Sequence, residues 1–146
     1  MSCPLCQTAA ACRSADYPEL IATLSESYLI LAAEQGCEGW CVLILKDHAE
    51  HLDQLPADRA ARLHADLMTA AGIVRRAFAP PPARINYACL GNLVHHIHWH
   101  IIPRHVSDPD PKSAVWSWPP ERQRGTATPA RRAELVQLLC AAAASR

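Results

Sequence analysis

The residues of this chain whose types and spacing can do chemistry are three alternating histidines, His96, His98 and His100, and a Cys-x-x-Cys pair, Cys3 and Cys6. Ile97, Trp99 and Ile101 fall between and after the histidines. A strand sends successive side chains to opposite faces, so this order predicts three imidazoles on one face and three large apolar groups on the other. Two chemistries suit such a row. Alternate strand positions lie roughly 6.5–7 Å apart, close enough for two imidazoles to converge on a catalytic metal. Alternatively, the middle imidazole is a nucleophile that attacks phosphorus and forms a phosphoramidate, with neighbouring donors serving the equatorial oxygens. Plain core or surface histidines are the third reading, and strict alternation of three argues against it. The cysteine pair can grip one metal ion if two further ligands arrive from elsewhere. Redox chemistry competes for that pair, but the motif is expected after a strand and before a helix.

These residues need a scaffold. Ile21–Leu24 and Tyr28–Ala32, separated by Ser25-Glu26-Ser27, predict a hairpin. A turn over Gly36–Gly39 leads to Trp40–Leu45, an unbroken apolar run that reads as a central strand and ends in Lys46-Asp47-His48. Pro56 and Asp58 open a helix, and Ala60, Leu63, Leu67, Ala71, Val74 and Phe78 form its stripe. His64 and Asp66 fall off that stripe and are expected in solvent. Ala79-Pro80-Pro81-Pro82 stops the helix. Arg84–Ala88 predicts a strand, Gly91-Asn92 a turn, and Leu93–Ile102 the returning strand that carries the histidines. Residues from His105 to Gly125 are polar and Pro-rich with no period, and include Trp116 and Trp118. Thr128-Pro129 caps a last helix with Leu135, Leu138, Leu139 and Ala142 as its stripe.

At 146 residues and 50% hydrophobic, the chain is expected to be a single α+β domain spanning 1–146. Its core is expected at about 21–104, followed by the irregular segment and helix over 105–146. With 14 basic and 14 acidic residues, nothing in the charge favours bulk nucleic acid or a membrane surface. Seven cysteines without a disulfide-like spacing, and a start with neither charged leader nor apolar core, point to a reduced cytoplasmic compartment.

His96-Ile97-His98-Trp99-His100-Ile101-Ile102 resembles the histidine triad signature, His-φ-His-φ-His-φ-φ with φ apolar. Asn86, Gly91-Asn92, Pro103-Arg104 and the strand ending in Lys46-Asp47-His48 stand where that family has their counterparts. The resemblance runs from about Ile21 to Arg104. It implies an antiparallel sheet of about five strands packed by a long helix, usually as a homodimer, to which this chain adds a C-terminal helix. It also implies a nucleotide hydrolase or nucleotidyl transferase acting on an α-phosphate, with dinucleoside polyphosphates or phosphoramidates as substrates. By motif position, His98 would be the nucleophile, and His100 would bind phosphate and help the leaving group. Asn86, Gly91, Asn92 and Leu93 would contact the substrate's phosphate. A regulatory nucleotide-binding protein with negligible turnover is the alternative. Similarity to zinc-bearing bacterial members and to the related galactose-1-phosphate uridylyltransferases implies a structural zinc on Cys3, Cys6, His48 and His96. The chain departs from some relatives at Trp40, Ala32 and Leu93, which puts base and ribose preference in doubt. His100 stands where the uridylyltransferase branch has Gln, which favours hydrolysis.

Overall fold

The structure, a computed structural model, describes residues 3–145. Five strands form one antiparallel sheet in the order β1-β2-β3-β5-β4. They are β1 (Leu20–Thr23), β2 (Ser27–Leu31), β3 (Cys41–Leu45), β4 (Arg84–Ala88) and β5 (His98–Arg104). The helices are α1 (Pro4–Arg13), α2 (Ala57–Arg76), α3 (Pro120–Arg124) and α4 (Pro129–Ala144). This is the α+β architecture the sequence implies. No helix among the described residues is long and apolar enough to cross a membrane.

Both faces of the sheet are covered, which explains why β2 and β3 are apolar at every alternate position on both sides. On one face Leu29, Leu31, Leu43 and Ile101 pack against Leu67, Ala70 and Val74 of α2 and Leu135 and Leu139 of α4. On the other, Ile30, Val42, Ile44 and Ile102 meet Ala9 and Cys12 of α1 together with Val115 and Trp118. The register sets His100 opposite Val42 and His98 opposite Ile44, so the histidines lie alongside β3, which is buried along its whole length. β4 is an edge strand, paired only with β5.

Several elements differ from the sequence expectation. β5 begins at His98 rather than Leu93. The chain before it spends its backbone groups elsewhere: the His96 N–H bonds to Val94 O and the Ile97 N–H to Ala49 O. His96 is therefore outside the strand proper. The Cys-x-x-Cys pair opens a helix that the sequence reading did not foresee, with Cys3 at the N-cap and Pro4 in the first turn. On α4, Leu138 is exposed while Leu135, Leu139 and Ala142 are buried. Thr128 does cap α4, its side chain accepting from the Arg131 N–H.

Asp66 is the largest correction. It is buried rather than in solvent. Its carboxylate accepts hydrogen bonds from the backbone N–H groups of Ser25 (3.2 Å) and Glu26 (2.7 Å) and from the Ser27 hydroxyl (2.7 Å). The tight β1–β2 turn leaves those donors without ladder partners, and α2 supplies the acceptor. Likewise Arg104 is buried and gathers the irregular segment. Its guanidinium donates to Asp108 (2.6 Å), Asn86 (2.9 Å) and the carbonyls of Ser113 (2.9 Å) and Asp110 (2.6 Å). The chain before β3 is fastened by Gln35, whose amide donates to the carbonyls of Ala32 and Trp40 and accepts from the Gly39 N–H. Gly39 has φ +88°, and a Cβ there would meet the Phe78 ring at 2.5 Å, so only glycine fits.

Replacing Asp66 by Ala strands those turn donors. The expected loss is about 1–3 kcal/mol, read as a melting temperature lowered by roughly 3–10 °C in calorimetry.

Candidate active site and metal centre

The histidine row divides at His96. That residue is buried, and its Nε2–H donates to the Leu45 carbonyl at the end of β3 (2.8 Å). This fixes the tautomer and leaves the Nδ1 lone pair pointing away from the strand. Nδ1 lies 3.5 Å from the sulfurs of both Cys3 and Cys6. The Cys6 sulfur is in turn 3.4 Å from His48 Nδ1. All four ligand atoms lie within 4.8 Å of one another, and the group could hold a metal ion. Bond lengths of about 2.3 Å to sulfur and 2.0 Å to nitrogen at the tetrahedral angle place S and N about 3.5 Å apart. The three sulfur–nitrogen spacings given above match that figure, so these side chains are gathered closely enough to share one ion.

The surroundings favour a cation. Both sulfurs sit at the N-terminus of α1, the positive end of its macrodipole, which favours thiolates. Burial and the neighbouring Cys3 sulfur push the Cys6 thiol up. A bound dication reverses that balance, because a coordinating thiol is deprotonated outright. His48 is more exposed, and its Nε2 is 3.7 Å from Glu50, a carboxylate placed to orient the ring.

His98 and His100 lie beyond this cluster on β5. The His98 Nδ1–H donates to the His96 carbonyl (2.6 Å), which leaves Nε2 as a free lone pair. The His98 and His100 rings meet edge to face at 5.2 Å. Trp40 donates its indole N–H to His100 Nδ1 (3.1 Å). Burial, and then the neighbouring His98, push His100 down to about 4. The site therefore holds one imidazole with a free lone pair beside a second, desolvated one that stays neutral at physiological pH.

Asn86 is half-buried on β4, two residues from Ala88, which pairs with His100. Its Oδ1 is held by Arg104, so its amide N–H groups are the end left for other partners. Gly91, Asn92 and Leu93 follow β4 in an open loop, with Gly91 at φ +67° and Leu93 98% exposed. That loop departs beside His98, whose backbone bonds toward Cys89. A groove of about 640 Å³ opens on this side, lined among others by Arg84, Asn86, Ala88, Lys112 and Trp116. Another groove, of about 650 Å³, lies past the far end of β5 against Phe78 and His105, away from His98.

Residues 16–107 match the family model of the HIT domain. The chain belongs to the HIT family. A Zn-bound histidine triad family protein from Mycobacterium smegmatis is 26% identical with a TM-score of 0.70, covering 99% of this chain and 95% of that one. A hypothetical histidine triad nucleotide-binding protein from Sulfolobus tokodaii is 16% identical with a TM-score of 0.73, covering 96% and 93%. A HIT-family member from Bacillus subtilis is 25% identical with a TM-score of 0.64, covering 84% and 89%. No relative is found among curated proteins.

In this HIT protein some neighbours of the triad were not foreseen. Trp116, half-exposed, stands edge-on to His100 at 5.3 Å and to Trp40 at 5.7 Å. Trp118 instead is buried under Arg104 and Arg122. His105 is tied to the Glu38 carbonyl and to Phe78, at the wrong end of β5 to meet the triad. His51 and His95 are exposed, and Cys12, Cys37 and Cys41 are buried as small apolar residues.

His100 sets a pH response. Its folded value, about 4, lies below the 6.5 of the free side chain, so the unfolded chain binds the extra proton between them. That contribution to stability is complete above about pH 6.5 and is lost as pH falls toward 4. Denaturant titrations of His100→Gln against the parent should show a shallower fall of stability between pH 6.5 and 5.

Proposed function

We propose that this protein is a nucleotide hydrolase or nucleotidyl transferase that attacks the α-phosphate of a nucleotide conjugate through His98. The observation that carries this reading is the hydrogen bond of His98: Nδ1–H is committed to the His96 carbonyl, which leaves the lone pair on Nε2. A neutral imidazole so oriented is a nucleophile held in one tautomer. Nε2 would bond to phosphorus and displace the leaving group, and water would then release the nucleotide from His98. His100 would offer a hydrogen bond to the phosphoryl oxygens. Asn86 and the backbone of Gly91, Asn92 and Leu93 would supply further donors around the phosphate. The groove past Asn86 toward Trp116 is roomy enough for a nucleotide.

The four-ligand cluster we assign to zinc, in a structural role. Two sulfurs and two imidazole nitrogens within 4.8 Å of one another form the donor set that suits this ion, and four protein ligands would leave no open position for substrate. The ion would fix α1 to the start of β5 and so hold the His96 carbonyl where His98 needs it. We further infer a cytoplasmic homodimer. The unpaired edge of β4, with Tyr87 46% exposed, supports assembly through that edge.

His98→Ala should reduce hydrolysis of dinucleoside polyphosphates by at least about 10³-fold. Quenched parent enzyme should carry a nucleotidyl adduct on His98 by mass spectrometry. Thermal stabilisation by a nucleoside monophosphate without any turnover would instead make the protein a nucleotide sensor. In the metal arm, Cys3→Ala and Cys6→Ala should each lose the zinc seen by elemental analysis, together with several degrees of melting temperature. If zinc loss abolished turnover while melting stayed unchanged, the ion would be catalytic rather than structural.

A further inference from the structure

Among the described residues, Trp40 alone makes a side-chain hydrogen bond to the His100 ring, and the direction of that bond has chemical consequences. An indole N–H donates and cannot accept. His100 Nδ1, 3.1 Å away, must therefore present its lone pair. In a neutral imidazole the proton then resides on Nε2.

Trp40 has no room to turn aside. It is 1% exposed and stands edge-on to both His100 and Trp116. Its carbonyl accepts from the Ala32 N–H and from the Gln35 amide, each at 2.9 Å, and its own N–H bonds to Cys37 O. A second proton on His100 would set Nδ1–H against the indole N–H. Nor do the neighbours offset a positive charge. His100 faces Trp40 and Val42 of the β3 side, Ala88 of β4 and Trp116 of the covering segment, none of which titrates. Among the described residues the one titratable contact is His98, on its own strand.

We propose that Trp40 is a positioning residue that locks His100 as the Nε2–H tautomer, and that this makes the site selective for leaving groups that depart as stable anions. The selectivity rests on His98 being the nucleophile, as read above. In the first step the His98 Nε2 lone pair forms the N–P bond, and the bond from phosphorus to the leaving oxygen breaks with its electrons on that oxygen. The Nε2–H of His100 stabilises negative charge by a hydrogen bond but does not transfer its proton, since doing so would leave an imidazolate. The leaving group departs unprotonated by the enzyme. In the second step water attacks phosphorus, the N–P electrons return to His98, and the water proton leaves to solvent through the product phosphate. Phosphoanhydrides, whose leaving group is a phosphate or pyrophosphate anion, meet this demand. Phosphoramidates and alkyl esters, which depart as amines or alcohols, do not.

Two measurements on the full-length zinc-loaded protein test this. ¹⁵N NMR of the imidazoles should show His100 with Nδ1 unprotonated and Nε2 protonated from pH 5.5 to 8. In Trp40→Phe, Nδ1 should gain proton occupancy. Kinetics with a series of substituted phenyl esters of a nucleoside monophosphate should give a steep dependence of kcat/KM on leaving-group acidity. In Trp40→Phe that dependence should flatten, and the phosphoramidate-to-anhydride rate ratio should rise on the order of tenfold to a hundredfold. An Nδ1–H tautomer or a charged His100 in the parent near pH 7 overturns the proposal. So does a shallow leaving-group dependence in the parent, which needs no variant to fold. If the NMR tautomer is as described but no substrate turns over, the nucleophilic reading has failed and the selectivity falls with it. The positioning of His100 by Trp40 then stands separately on the spectra.

Discussion

The hydrogen bond from His96 to the Leu45 carbonyl is the contact on which the site depends. It joins the end of β3 to the start of β5 across 51 residues of sequence. One ring nitrogen is spent on the sheet, which turns the other toward Cys3, Cys6 and His48. The backbone carbonyl of the same residue receives the His98 proton. One buried imidazole therefore orients a ligand cluster on one side and the proposed nucleophile on the other. Its own protonation is disfavoured by burial, and a proton on Nδ1 would remove the lone pair the cluster needs.

The second constraint is coverage of the sheet. α1 and the Val115–Trp118 turn bury the face that bears Val42, Ile44 and Ile102. Arg104 anchors that covering segment from beneath, and its bond to Asn86 links the cover to β4. With Trp40 and Trp116 walling His100, the approach to the histidines narrows to the side of Asn86 and Ala88. The histidines are thus half-buried at the margin of a filled face, rather than at the floor of an open cleft. Their desolvation follows from this, and the downward shift of His100 with it.

Much of this was legible in residue order. Apolar alternation and runs located β2, β3 and β4 within a residue or two, and the Pro-flanked stripe from Leu63 to Val74 located α2. The alternation of His96, His98 and His100 announced a site, but overstated the strand. Backbone bonds to Val94 and Ala49 capture the residues before His98, and no periodicity reports such tertiary capture. α1 went unread because Gln-Thr-Ala-Ala-Ala-Cys shows no apolar stripe; its small residues bury Ala9 and Cys12 without one. Asp66 was unreadable for a different reason. A carboxylate off the stripe of a helix belongs in solvent unless a distant turn brings donors to it. Trp40 reads as one more apolar residue of a central strand, and its single polar atom matters only because the register sets Val42 against His100.

The reach of the ligand cluster along the chain has a consequence of its own. Cys6 faces His48 across 42 residues and His96 across 90. An ion bound by these side chains closes two long loops at once. In the unfolded chain each such closure removes configurational freedom, and the chain-entropy relation for cross-links puts a 42-residue loop at about 4 kcal/mol. A disulfide could impose the same restraint, but it would be reduced wherever thiols are kept free. The cluster can thus serve as a cross-link for a reducing environment, opened by chelation rather than by electrons.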